Sequence, residues 1–124
     1  MNGVGRQQSL SGVRAWGSAG HTHGETLLDS RQQVLRAAIV GNDGRCSEEC
    51  AWLEKQVPQS RAITGKLMMP GFTAPKLVWG QRHEPDIFRQ IDKVLLPKVF
   101  LRLRMTGASA SDMSDASVMT CLGR

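Results

Sequence analysis

The chain has 124 residues, 40% of them hydrophobic, and a formal net charge of +5 at pH 7. That length supports one small domain with a modest core, and six aromatic residues (three Trp, three Phe, no Tyr) argue against a large aromatic-packed interior. No apolar run approaches the ~18 residues of a membrane span. The first residues lack a charged-then-apolar leader pattern, and an odd three cysteines fit a reducing cytoplasm better than a disulfide framework.

Residues 1–12 are rich in Gly, Ser and Gln and read as a flexible tail, because they bury too little apolar surface to offset ordering entropy. Val13, Ala15 and Trp16 leading into Gly17-Ser18-Ala19-Gly20 predict a strand running into a small-residue turn. Short strands are predicted at residues 25–29, 33–35 and 37–40, before a turn at 41–44. Cys46, Cys50, Leu53 and Val57 are spaced to line one side of a helix. Glu48 and Glu49 suit its N-terminal end, and Pro58 stops it.

Thr73 is a candidate N-cap for a second helix carrying Leu77, Val78 and Gln81, and Pro85 opens a third with Ile87, Phe88 and Ile91 on its apolar side. Val94, Leu95 and Leu96 predict a brief buried strand. Pro97 then starts a helix through Arg104 that ends at Thr106-Gly107. Residues 108–124 show no firm period. Mixed strands and helices place the chain in the α/β or α+β class.

The densest basic group is Lys98, Arg102 and Arg104, with Phe100 the one aromatic residue among them. Without a stacking platform this predicts a solvated helix face, not a nucleic-acid surface. His21 and His23 with Cys46 and Cys50 offer four candidate metal ligands. However, the cysteines already have places on the apolar stripe, where free Cys packs as a small hydrophobe, so no metal is expected. Asn42-Asp43-Gly44-Arg45 is ordinary turn chemistry, although Asp43 and Arg45 also have the groups to orient a polyol. Asp112 and Asp115 form a second acidic pair, at a helix start or in a surface loop. The chain contains no Gly-x4-Gly-Lys-Ser/Thr, Gly-x-Ser-x-Gly or Gly-x-Gly-x-x-Gly.

Over residues 13–115 the sequence resembles the FGGY carbohydrate kinases, and among them the bacterial xylulokinase branch. The stretches that carry this are His23-Gly24 with Thr26-Leu27-Leu28-Asp29, and Asn42-Asp43-Gly44-Arg45-Cys46. Leu67-Met68-Met69-Pro70-Gly71-Phe72-Thr73-Ala74-Pro75-Lys76-Leu77 and Ala110-Ser111-Asp112-Met113-Ser114-Asp115-Ala116 extend it. The resemblance implies that residues 13–124 are an incomplete N-terminal kinase domain, part of an actin-like (ribonuclease-H-like) α/β fold with a short mixed sheet and several helices. It implies a ketopentose such as D-xylulose as the partner, phosphorylated with ATP and Mg²⁺ bound mainly by parts outside this chain. The catalytic carboxylate also falls outside it.

By the same resemblance the candidate substrate-binding residues are Thr22, His23, Asn42, Asp43 and Arg45. His23 matches a sugar-contacting histidine, a buried structural histidine being the other reading, and Asp112 and Ser114 match an Asp-x-Ser segment at the cleft. Thr22 stands where the family has Met, His21 where it has Gln, Gly41 where a Trp walls the sugar, and Val99 where xylulokinases carry Asp. Residues 117–121 break a small-residue turn of the family. The expectation is a chain inactive by itself that carries part of the sugar pocket. The alternative is a non-catalytic domain that self-associates through exposed sheet edges.

Overall fold

Leu28, from the first third of the chain, packs against Leu95, Leu96, Val99 and Leu103 from the last third, and this contact is the hydrophobic core. Phe100 and Met119 close over it. The structure is a computed structural model that describes residues 9–117 and 119. Strand β1 (Thr26–Leu28) pairs antiparallel with β2 (Lys93–Leu95), with Leu27 opposite Val94. All of β1 is buried. Helices α1 (Ser47–Gln56), α2 (Ser60–Thr64), α3 (Thr73–His83) and α4 (Pro85–Phe88) lie between the strands. Helices α5 (Pro97–Thr106) and α6 (Met113–Ser117) follow β2.

Several boundaries are set by local chemistry. Pro85 and Pro97 occupy the first positions of α4 and α5, where a missing N–H removes no intrahelical bond. Gly107 ends α5 in the left-handed conformation, its N–H donating to Leu103 O at 2.8 Å. Helix α1 carries Glu48 and Glu49 in its first turn and ends before Pro58, as its spacing predicts.

Other expectations are corrected. Residues 13–16 form no strand: Val13 is 59% and Trp16 45% exposed, and among the described residues no neighbouring strand offers them a ladder. Residues 33–35 and 37–40 are reduced to single bridges, Val34 to Leu28 and Ile39 to Glu25. The Asp29 carboxylate explains the first of these, since Oδ1 accepts from the N–H groups of Arg31 (2.9 Å) and Gln33 (2.8 Å). That closes a tight turn in which Gln32 takes φ 60°, so the chain touches β1 and leaves it. Thr73 is the first residue of α3 rather than its cap, which is Phe72. Helix α2 has no apolar period to announce it.

The Lys98 face is also not freely solvated. Lys98 Nζ lies 2.7 Å from Asp112 Oδ2 and 2.8 Å from Asp115 Oδ2, and Arg102 donates to Ala110 O at 3.2 Å. Of the expected tail, residues 1–8 lie outside the described residues, and 9–12 are exposed. Residues 118 and 120–124, including the departures at Val118, Thr120 and Cys121, lie outside them as well. Among the described residues no helix is long and apolar enough to cross a membrane.

The core is small, so its members carry unequal weight. Leu28→Ala is expected to lower stability by about 2–5 kcal/mol. Met113→Ala, at a residue 90% exposed, should stay within about 0.5 kcal/mol. Urea unfolding of the two variants checks this ordering, and equal losses would contradict it.

Candidate functional site

Three loops meet beside the N-terminal turn of α3. The first holds His21, Thr22, His23 and Gly24, just before β1. The second begins at Gly41, and the third holds Pro70, Gly71 and Phe72. Lys76, on α3, is fully buried and sends its ammonium to the carbonyls of His23 (2.6 Å) and Gly71. Thr73 Oγ1 also reaches His23 O, at 3.5 Å. A Cβ at Gly71 would lie 2.7 Å from Gly41 O, so only glycine permits the second and third loops to touch here. A Cβ at Gly24 would sit 2.8 Å from the His21 ring and 2.9 Å from Pro97 Cγ, which fixes the first loop on the start of α5.

His23 is thus held by its backbone, and its ring packs edge-on to Phe72 with centroids 5.2 Å apart. Burial, aided by the Lys76 charge, lowers its pKa from the usual 6.5, so the imidazole is neutral at pH 7. A neutral imidazole offers one donor and one acceptor, which suits a sugar hydroxyl. Thr22 and His23 line an open cavity of about 180 Å³ together with Lys98, Asp112, Ser114 and Asp115. Of the candidate substrate-binding residues named from sequence, Thr22 and His23 are brought together here, and Asp112 and Ser114 of the Asp-x-Ser segment share the lining.

Asn42, Asp43 and Arg45 do not line that cavity. Arg45 Nε lies 3.0 Å from both Asp43 oxygens, and its guanidinium stacks 5.0 Å above the Trp79 ring. Arg45 thereby holds the Asp43 carboxyl below its ordinary pKa. The loop meets His23 through Gly41, where an added Cβ would lie 3.6 Å from His23 Cβ.

The metal alternative finds no donor set, because among the described residues no three His, Cys, Asp or Glu side chains come together to hold an ion. Cys46 and Cys50 are buried, with their thiols directed to Pro70 O (3.6 Å) and Cys46 O (3.3 Å). Lys76, Lys98 and Asp115 were not singled out as binding candidates from sequence. A lysine in an amphipathic pattern signals solvent, and nothing in the local sequence marks Lys76 as buried.

The stretch 1–123 matches the model of the N-terminal domain of the FGGY family of carbohydrate kinases. The chain belongs to that family. It is 70% identical over 117 residues to xylulose kinase of Escherichia coli (strain K12), covering 94% of this chain and 24% of that protein. Xylulose kinase of Klebsiella pneumoniae is 64% identical, again over 94% of this chain and 24% of the relative. The crystal structure of a "xyloylose kinase" from Brucella ovis superposes with a TM-score of 0.87 at 49% identity, over 96% of this chain and 25% of that one. A xylulose kinase from Rhodospirillum rubrum gives 0.76 at 32% identity, over 81% and 21%. The chain therefore spans about a quarter of the length of the curated relatives it matches. Its α/β architecture, a short two-stranded sheet with several helices, is part of the actin-like sugar-kinase fold.

Two outcomes follow from this geometry. Lys76→Met leaves the His23 and Gly71 carbonyls short of donors and should cost about 1–3 kcal/mol, read by urea unfolding; unchanged stability would contradict the anchoring role. Burial pushes the Cys50 thiol up from 9.0 to about 11, so the unfolded chain loses this proton first as pH rises. That contribution to stability is intact below pH 9 and is lost between pH 9 and about 11. Cys50→Ala should flatten the alkaline fall in unfolding midpoint over that window, and an identical fall would count against it.

Proposed function

We propose that this chain is the sugar-facing wall of a xylulose kinase, in which the whole protein phosphorylates D-xylulose to D-xylulose 5-phosphate with ATP. The observation that carries the reading is His23, neutral and fixed by its backbone, facing an open polar cavity. His23 hydrogen-bonds a sugar hydroxyl there, beside Thr22. Asn42, Asp43 and Arg45 lie outside this cavity, on the loop after Gly41, with Asp43 paired to Arg45 and Arg45 over the Trp79 ring. Position 41, where the family carries a wall residue, is next to His23. The pathway is cytoplasmic pentose use.

Neither ATP nor Mg²⁺ has a matching donor set among the described residues: there is no phosphate-cradling glycine motif and no group of three metal-holding side chains. On this reading a polypeptide of these residues alone, about a quarter of the length of its curated relatives, binds sugar weakly and does not transfer phosphate by itself. Phosphoryl transfer draws its rate from positioning nucleotide and hydroxyl together, which half a cleft does not provide.

A second reading is favoured by one specific feature. Leu67 and Met69 are 49% and 51% exposed, and Ile63 and Trp52 are 45% and 39% exposed. An isolated polypeptide with this apolar surface and a two-stranded sheet self-associates. A sharp monomer peak in sizing chromatography would remove this second reading.

For the first reading, the polypeptide should show no sugar-dependent ATP consumption, and measurable turnover would overturn its inactivity. Gly41→Trp, which supplies an apolar wall beside His23, should tighten D-xylulose binding several-fold by calorimetry or NMR titration. Weaker or unchanged binding would contradict the placement of the pocket.

A further inference from the structure

Asp115 is 4% exposed, yet it lines the cavity that holds Thr22 and His23. Its backbone N–H is bound to Asp112 Oδ1 at 2.9 Å, which pins the residue in place. Its Oδ2 lies 2.8 Å from Lys98 Nζ, an ion pair without hydrogen-bond alignment. Its Oδ1 has no hydrogen-bond partner among the described residues. A buried carboxylate oxygen left open is expensive unless something that donates a hydrogen bond arrives to fill it.

What fits can be read from the other groups. Lys98 donates to Asp112 Oδ2 and faces Asp115 Oδ2 as an ion pair. Thr22 and Ser114 contribute hydroxyls, each able to donate or accept. With His23 neutral, the lining side chains are two carboxylates and one ammonium, a net negative lining, with the Lys76 and Lys66 charges acting on His23 from outside it. Such a field opposes a phosphate ester and leaves an uncharged polyol unaffected. The volume, about 180 Å³, is several times the roughly 30 Å³ that one water occupies in the liquid.

We propose that Asp115 is a hydroxyl-accepting group of the sugar site, held by Lys98, so that this cavity takes an uncharged polyol and turns away its phosphate ester. The proposal rests on the reading of His23 as a sugar contact and adds to it both a partner residue and a basis for releasing product. A hydroxyl donates to Oδ1 while a neighbouring hydroxyl of the same diol exchanges hydrogen bonds with His23 or Thr22.

The test is an NMR titration of the full 124-residue chain, following backbone amides and the Asp115 side-chain carboxyl carbon. D-xylulose should shift the signals of His23, Ser114 and Asp115 along one isotherm, and D-xylulose 5-phosphate at the same concentrations should not. Asp115→Asn should raise the D-xylulose midpoint tenfold or more. Should Asn at this buried position unfold the chain, the Asp115 carboxyl signal of the unmodified protein still decides, since a static signal while His23 responds overturns the proposal. A midpoint within twofold in Asp115→Asn, with His23 still shifting, also overturns it and leaves the His23 contact standing. Equal response to the phosphate ester overturns the charge selection. Silence at both His23 and Asp115 in the folded protein overturns this proposal together with the reading beneath it.

Discussion

A lysine ammonium bound to backbone carbonyls, and in no ion pair among the described residues, organises the candidate site. Lys76 is wholly buried and spends its hydrogen bonds on the carbonyls of His23 and Gly71, and burial lowers its pKa. Desolvating a cation is costly, so the arrangement persists only because two backbone acceptors converge on it. The consequence is geometric. The loop before β1 and the loop before α3 are tied to one atom, and Gly71 in turn rests against Gly41. The same charge also helps keep His23 neutral.

Much of the frame was legible in the sequence because its signals are local. Pro85, Pro97 and Gly107 announce helix ends through their own backbone preferences, and the Cys46–Cys50–Leu53 spacing announces α1. The two strands were found within a residue, since short apolar runs at 26–28 and 94–96 have few other uses. The segments at 33–35 and 37–40 were over-read as strands. Their apolar content is real, but a strand is a pairing relation, and the Asp29 turn limits pairing to single contacts.

The site was legible only in part. His23 and Thr22 were found through resemblance, and the structure puts them on one cavity. Asn42, Asp43 and Arg45, named the same way, do not line it; Asp43 pairs with Arg45, which lies over Trp79. Lys76 escaped notice, and Lys98 and Asp115 were named only as members of a basic and an acidic group, because their pairing arises from distant partners: Lys76 meets a carbonyl 53 positions away, and Lys98 bridges α5 to the start of α6. Val99, which stands where xylulokinases carry Asp, is 5% exposed within the core. The substitution is therefore absorbed as packing, whereas a Cβ at Gly41 would lie in van der Waals contact with His23 Cβ.

On the proposed reading this chain forms one side of a sugar-kinase cleft, with hydroxyl recognition rather than phosphate handling as its chemistry. A crystal structure of the chain grown with D-xylulose examines this in one step. The expected result is sugar bound between the His23 imidazole and Asp115, with Lys76 still on the His23 carbonyl. Sugar ordered elsewhere on the surface, or a His23 loop detached from Lys76, would contradict it.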